Sequence, residues 1–384
     1  MSSDSQVLKE SLALVEPVYD KVTGYFYARL FVENPHIRSM FPLAMGVQRD
    51  RLFRALVSMV QAVDRPEQVV PLLQQLARDH RKFEVKPAHY DAVGRALIGA
   101  IKEYSYGEWT DEIEAAWWRT YSTAARTMID AAAADSHRPA FWNAEVISVD
   151  RRAPDIAVIH VKPDQPYPYE PGQYANLECI YVPRVWRQYS IANAPRRDGH
   201  LEFHVRSLGA GWVSGALVRK TRVGELIKLG PPMGSMVLDR ESQRDIVCVA
   251  GGTGLAPMKA LIDELRRWNT TRRAHVFFGV RRATDLYDLP AMQELASRYP
   301  WLTVVPAVSE DFDYQGENAN LPDVVGRHGT WYSHDIFAAG SPDMIKATVA
   351  KFRELQVPAD RIKYDAFGDL DRPASHRHQA DRYV

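Results

Sequence analysis

Three successive textures predict the fold class: an all-α domain, then an antiparallel β-barrel, then an α/β domain on a parallel sheet. Up to about residue 135 apolar side chains recur at helical spacing, as in Leu52, Leu56, Met59, Val60 and Val63, or Ile113, Trp117, Tyr121, Ala124 and Met128. From 138 to about 240 the pattern becomes alternation split by Pro and Gly, as in Ala144 to Val149, Ile156 to Val161 and Leu201 to Val205. Beyond Asp245 strand-like and helix-like runs take turns: Ile246 to Ala250, Met258 to Trp268, Ala274 to Val280, Ala291 to Arg298, Leu302 to Val308, Ile336 to Ala339 and Met344 to Leu355. The expected domains are 1–136, 137–242 and 243–371, followed by a loose polar tail at 372–384.

Within the first domain, helices stop and restart at Asn34-Pro35, Pro42, Pro66, Pro87 and Gly107, where proline or glycine interrupts the backbone ladder. The 384 residues suit two to three domains at roughly 150 residues each. Hydrophobic residues make up 46% and charged residues 25%, enough for packed cores. Lys plus Arg and Asp plus Glu both number 48, so the chain lacks the basic excess of a nucleic-acid or membrane-surface protein. Two cysteines, Cys179 and Cys248, exclude a disulfide framework, a four-cysteine zinc site and a four-thiolate iron–sulfur cluster. MSSDSQVLKE has no signal-peptide apolar region, and no apolar run approaches a membrane span. The expectation is a cytoplasmic enzyme acting on small molecules, with no obligate protein partner implied.

IVCVAGGTGLAPMKALI reads as strand, glycine turn and helix. Gly251, Gly252 and Gly254 let a ligand approach the backbone, and the helix start offers N–H groups to a pyrophosphate; a tight structural turn has the same signature. Upstream stands Arg187-Gln188-Tyr189-Ser190, and between Val182 and Arg222 eight Lys or Arg face two acids. That local basicity suits a diphosphate. RQYS resembles the flavin motif of the ferredoxin-NADP-reductase-like superfamily. Pro171-Gly172-Gln173-Tyr174, His204-Val205-Arg206-Ser207, Gly211-Trp212-Val213-Ser214, Ala339 to Met344 and Tyr364 to Gly368 resemble its further motifs, although Ala339 and Ser341 stand where Cys and Gly are usual. The resemblance implies FAD on Tyr174, Arg187, Gln188, Tyr189, Ser190, His204, Val205, Arg206, Gly211, Trp212, Val213 and Ser214. It implies NADH or NADPH near Gly252, Thr253, Gly254, Pro257 and Gly340. Tyr189 would stack on one flavin face with Phe367 near the other, Ser190 would donate toward the reactive flavin nitrogen, and Thr253 would sit beside the nicotinamide. Arg281 and Arg282, after the second α/β strand, suit either a 2′-phosphate or a solvated loop; the reading leans to NADH.

In EQVVPLLQQLARDHRKF, His80 shares a helix face with Leu73 and with Leu76 or Ala77. A lone histidine there is most often a core residue. With Phe41 after Asn34-Pro35, Phe83 after His80 and Pro87-Ala88-His89-Tyr90 beyond, the helical stretch resembles a bacterial globin, and the whole chain resembles a flavohaemoglobin. That resemblance implies haem b with His80 as the proximal iron ligand. It places Phe41 against the haem, Phe83 in the haem pocket, Tyr27 as a distal phenol, and Gln48 with Leu52 as the distal wall. Gln48 and Leu52, four apart, share a helix face independently of the resemblance. The family also places a Tyr and a Glu behind the proximal histidine. Tyr90 matches; where the Glu is expected stands Ala134, with Asp135 adjacent.

The activity this implies is nitric oxide dioxygenation: electrons from NAD(P)H through FAD to haem, with NO and O2 as the small-molecule partners and nitrate as product. Two other readings stay open. One is an NAD(P)H-dependent flavin reductase with a different acceptor, which the missing Glu favours. The other is an oxygen or NO sensor whose reductase keeps the iron ferrous. His376 and His378 in the tail look like a metal pair but fit a loose tail better.

Overall fold

The computed structural model describes residues 4–209, 211–269 and 271–367. The tail at 372–384 and its two histidines lie outside the described residues, as does Gly368. The chain forms two compact units that divide between Phe141 and Trp142.

The first unit is helical: α1 (Asp4–Val15), α2 (Tyr19–Glu33), α3 (Gly46–Gln61), α4 (Pro66–His80), α5 (Pro87–Glu103) and α6 (Asp111–Ala134). Proline opens α4 and α5, where its missing N–H costs nothing. Thr110 caps α6 by accepting the Ile113 N–H. Its apolar side chains form two clusters. One gathers Phe26, Tyr27, Leu30, Ile37, Phe53 and Leu56, with Phe41 and Leu52 packed on it. The other gathers Leu73, Ala77 and Met128, with Leu76, Tyr90 and Ala132 alongside.

The second unit begins with an antiparallel sheet of β1 (Trp142–Ala153), β2 (Ile156–Pro163), β3 (Tyr174–Cys179), β4 (Arg187–Ser190), β5 (Leu201–Arg206) and, after α7 (Trp212–Arg219), β6 (Leu226–Leu229). The strand order is β4-β3-β6-β1-β2-β5, and an Ile191–Phe203 bridge joins the two edges into a near-closed barrel. Closure removes the exposed edges that an open sheet would leave. Residues such as Ala144, Val146, Ile159, Leu177, Phe203 and Leu229 fill its interior.

A parallel sheet follows: β7 (Ile246–Gly251), α8 (Leu255–Trp268), β8 (Ala274–Val280), α9 (Leu289–Arg298), β9 (Leu302–Val308), β10 (Glu317–Asn318), α10 (Leu321–His328), β11 (Asp335–Gly340), α11 (Pro342–Glu354) and β12 (Ile362–Ala366), in the order β10-β9-β8-β7-β11-β12. The chain moves outward from β7 through β8 to β9, then returns to the other side at β11. This reversal opens a crevice at the carboxyl ends of β7 and β11, where ligands bind in open α/β sheets. The expected strands and helices are all present. The short α10 and the strands β10 and β12 are additions, their few residues carrying too little periodicity to be read alone. Among the described residues, no helix is long and apolar enough to cross a membrane.

Candidate functional site

In the first unit α4 ends at His80, whose Nδ1 lies 2.7 Å from the Leu76 carbonyl one turn back. Burial keeps the imidazole below its usual pKa, hence neutral, with Nδ1–H donating and the Nε2 lone pair free. A neutral ring anchored at one nitrogen by a backbone carbonyl is the donor arrangement of a metal-ligating histidine. Phe83 meets the ring edge-on at 6.2 Å between centroids.

Tyr27 is buried on α2, edge-on to Phe41 at 5.6 Å, and its phenol is hydrogen-bonded to Gln48 of α3. Burial raises the phenol pKa to about 12, against the opposing effects of the Gln48 hydrogen bond and the Arg49 charge. It is therefore a neutral donor at all physiological pH. The partly buried Gln48 amide thus has the partner it requires. The distal groups sit in one apolar cluster, while Tyr90 and the residues beside His80 sit in the other. Two apolar faces with one imidazole donor fit a flat apolar macrocycle carrying iron.

Beside His80 the structure differs from what the resemblance implies by a short step along α6. A hollow of about 310 Å3 is bordered by His80, Arg81, Tyr90, Ala132 and Ala133. The α6 residues bordering it are Ile129, Ala132 and Ala133; Ala134 borders a different hollow. Asp135 does not replace the carboxylate. It pairs with Arg81 at 2.5 Å, while His80 turns to the Leu76 carbonyl.

In the barrel, β3 and β4 pair so that Tyr174 faces Ser190 and Ala175 faces Tyr189. Gln188 Nε2 lies 3.5 Å from the Tyr174 hydroxyl. Ser190 Oγ is buried with no hydrogen-bond partner among the described residues. A buried hydroxyl left unpaired costs roughly 1–3 kcal/mol, so it marks a place where a polar ligand atom fits. Arg206 of β5 donates to Asp155 at 2.7 Å and lies 3.8 Å from where a Gly252 side chain would begin. Barrel and glycine turn therefore meet at this guanidinium. Val205 is buried beside it, and the first turn of α7 (Trp212, Val213, Ser214), entered through Gly211, has backbone N–H groups with no partner inside the helix.

His204, expected to help hold FAD, has both ring nitrogens committed within the protein: Nε2 to Glu202 at 2.7 Å and Nδ1 to the Tyr287 hydroxyl at 2.6 Å. Its ring is fully buried. Any contact with a cofactor at this position therefore comes from its backbone.

The crevice of the parallel sheet is lined by glycine because nothing larger fits. A Cβ at Gly254 would stand 2.1 Å from the Ala339 carbonyl oxygen, and one at Gly340 would stand 3.2 Å from Gly251 Cα. Gly252, at φ 56°, adopts the left-handed backbone glycine allows. Thr253 is partly exposed in this turn, and Pro257 is buried in the first turn of α8. The cradle fits the diphosphate of a dinucleotide. Phe367 follows β12, its N–H donating to the Gly340 carbonyl at 2.7 Å, and the residue is 40% exposed. Asp365, two residues earlier, has its carboxyl pKa raised to about 6 by burial. Sequence reasoning did not single it out; its only signal was a carboxylate inside an aromatic segment.

Residues 24–128 match the globin family, 143–238 the oxidoreductase FAD-binding domain and 248–350 the oxidoreductase NAD-binding domain. A flavohemoprotein of Bordetella parapertussis is 28% identical over 94% of this chain and 97% of its own length. The ferredoxin–NAD(P)(+) reductase component of the Pseudomonas putida naphthalene 1,2-dioxygenase system is 32% identical, covering 58% of this chain and 67% of the relative. The fold matches that of a Malassezia yamatoensis flavohemoglobin with a TM-score of 0.78, at 18% identity, over 96% of this chain and 99% of the other.

Proposed function

The chain belongs to the flavohaemoglobin family, a globin followed by FAD-binding and NAD-binding oxidoreductase domains, and from that premise we propose that it is a nitric oxide dioxygenase. The net reaction is 2 NO + 2 O2 + NAD(P)H → 2 NO3− + NAD(P)+ + H+, in which the nicotinamide donates two electrons. Bound haem supplies the centre where dioxygen meets nitric oxide, FAD the exchange between two-electron and one-electron steps, and NAD(P)H the hydride.

The chain's own residues take the following parts in this reading. His80 would hold iron through Nε2, its ring fixed by the Leu76 carbonyl. Phe41, Leu52 and Phe83 exclude water from the haem. Tyr27 offers a phenol proton to dioxygen on the distal side, and Gln48 orients that phenol. Tyr90 borders His80 on the proximal side. Tyr189 and Phe367 would flank the flavin, Ser190 would donate to it through its unpaired hydroxyl, and Arg206 would neutralise diphosphate charge. Thr253 positions the nicotinamide beside the glycine cradle. We draw the domains at 1–136, 137–242 and 243–371, and place the reaction in the cytoplasm, where the buried thiols Cys179 and Cys248 stay reduced.

The observation that carries the reading is the Tyr27–Gln48 pair, two neutral hydrogen-bonding groups joined beside the apolar cluster, with the Arg49 charge close enough to act on the phenol. Protein loaded with haem and FAD should consume NO aerobically with NADH and form matching nitrate. Full cofactor occupancy without NO loss at an electrode would sink it. One observation favours a second reading, a reductase with another acceptor: the α6 residues bordering the hollow beside His80 are Ile129, Ala132 and Ala133, none of them a carboxylate. That reading predicts rapid flavin reduction and slow onward transfer to haem.

A further inference from the structure

The glycine turn that cradles the dinucleotide runs directly into α8, and one face of α8 grips the barrel. Lys259, Asp263 and Arg267 are spaced four apart and so lie in a row along the helix. Lys259 Nζ donates to Glu202 of β5 at 2.9 Å and to Asp288 at 2.6 Å. Asp263 accepts the Ala194 N–H at 2.9 Å, in the segment just after the flavin strand β4. Arg267 donates to the Pro195 carbonyl at 2.7 Å.

Further links run from the other side of the same seam. Arg152 of β1 donates to Asp288 at 3.2 Å, and Tyr287 donates to His204 at 2.6 Å. His160 of β2 reaches Glu202 at 3.3 Å and is held in turn by Ser148 at 2.9 Å. The side chain of Asp288 is 1% exposed, that of Glu202 14% and that of Lys259 17%, so water replaces little of what these groups give one another. Lys259 and Arg152 face Glu202 and Asp288, and Arg152 also reaches Asp150 at 2.6 Å. Desolvation keeps His204 neutral, so its Nε2–H donates to Glu202 while Nδ1 accepts from Tyr287.

This cluster does more than add stability, because of what its members are attached to. Glu202 and His204 are on the strand leading to Arg206, and Ala194 follows the strand carrying Tyr189 and Ser190. Lys259 is on the second turn of the helix that begins at the glycine cradle. Any tilt of α8 therefore moves the nicotinamide site relative to the flavin site. Hydride transfer falls steeply when donor and acceptor leave their near-attack distance.

We propose that Lys259 is a positioning residue for hydride transfer, fixing α8 and its glycine cradle at the right distance from the flavin strands by joining Glu202 of the barrel to Asp288 of the nucleotide lobe. The proposal rests only on the NAD(P)H-to-FAD half of the proposed function. It survives if the chain reduces its flavin but never consumes NO, and flavin bleaching reads it without reference to the haem.

The test is anaerobic stopped-flow reduction of the full-length holoenzyme by NADH and by NADH deuterated at the transferring position. Lys259→Met should slow flavin reduction at saturating NADH by about 10-fold or more. The deuterium isotope effect should rise, while the NADH dissociation constant changes little. Lys259→Arg, which can still span both carboxylates, should restore most of the rate. Asp263→Ala, at the partly exposed edge of the row, should shift rate and isotope effect in the same direction by less; it keeps the test open if Lys259→Met does not fold. A lower melting temperature with an unchanged limiting rate and isotope effect would overturn the proposal, leaving the cluster a structural strut. Failure of Lys259→Arg to restore the rate would overturn it as well.

Discussion

In the proposed globin site the hydrogen-bonding groups are few and mostly neutral: a histidine held neutral by burial, a phenol with a pKa of about 12, and an amide, with Arg49 the one charge acting on the phenol. In the reductase unit the corresponding region is threaded with charge. Arg206 is shared between Asp155 and Asp285, and Lys259 between Glu202 and Asp288. The cofactors account for the difference. A haem is mostly apolar and needs one strong donor, whereas two dinucleotides bring diphosphates and must be held at a fixed mutual distance. The globin unit should therefore depend on one residue and tolerate changes elsewhere, while the reductase unit should spread its dependence over a network.

The sharpest way to break that comparison is at His80. His80→Ala should abolish the Soret band and NADH-dependent NO loss, a fall of more than about 100-fold, while NADH still bleaches the flavin. Retained haem with retained turnover would mean that iron is held elsewhere and that the unit does not hinge on a single donor.

Asp365 tests the charged side. Its carboxyl pKa is raised to about 6 from an ordinary 3.8 because burial penalises the anion. A raised folded-state value means that the protonated acid is favoured by folding. That contribution is fully present below pH 3.8 and is lost as pH rises through about 6. Above that window the reductase unit carries a costly buried charge, worth at most about 3 kcal/mol. Asp365→Asn should thus raise the unfolding free energy at pH 8 by up to that amount and change little at pH 4, as read by urea denaturation at both values. Equal effects at the two pH values would refute the assignment.

Ser190 should show opposite signs in two measurements. Removing its unpaired hydroxyl with Ser190→Ala should leave the FAD-free protein as stable or more so, by about 1 kcal/mol. The same change should slow flavin reduction about 10-fold, because the holoenzyme loses a donor to the ring. Loss of stability without FAD would mean that the hydroxyl already has a partner.

The two units also differ in how much of them was legible. The reductase motifs are contiguous, because a strand followed by a tight turn places neighbouring residues on one ligand: RQYS and GGTG each carry their geometry in a few positions. The proposed globin site draws on α2, α3, α4 and α5, so only the resemblance linked Tyr27, Gln48, His80 and Tyr90. Spacing along a helix did settle which residues share a face, as with Gln48 and Leu52. The resemblance puts the family's Glu position at Ala134, with Asp135 adjacent; α6 instead brings Ile129, Ala132 and Ala133 to the hollow beside His80, since a helix turns 100° per residue and a shift of one or two positions changes the face. The Lys259 cluster was invisible, because its partners are 57 and 29 residues away and a charged residue on a helix reads as a solvated surface position. His204 looked like a flavin contact for the same reason: its motif position was clear, while the partners of its ring were not.

The smallest effect expected is at Gln48, and it bears most directly on why the distal face is neutral. Gln48→Ala removes one neutral hydrogen bond from Tyr27, worth about 1 kcal/mol. It leaves the phenol buried against Phe41 and Phe31 at 5.6 and 5.7 Å. The Gln48 hydrogen bond opposes the burial that raises the phenol pKa, so without it the pKa should rise further and the phenol should stay protonated. Oxygen dissociation and autoxidation should then change only a few-fold, equally at low and high salt, since no ion pair is broken. Tyr27→Phe, which removes the donor itself, should exceed that change. If Gln48→Ala proved the larger of the two, or if its effect varied with ionic strength, the distal site would depend on the Arg49 charge rather than on a neutral pair, and the contrast between the two units would narrow to the haem's one strong donor.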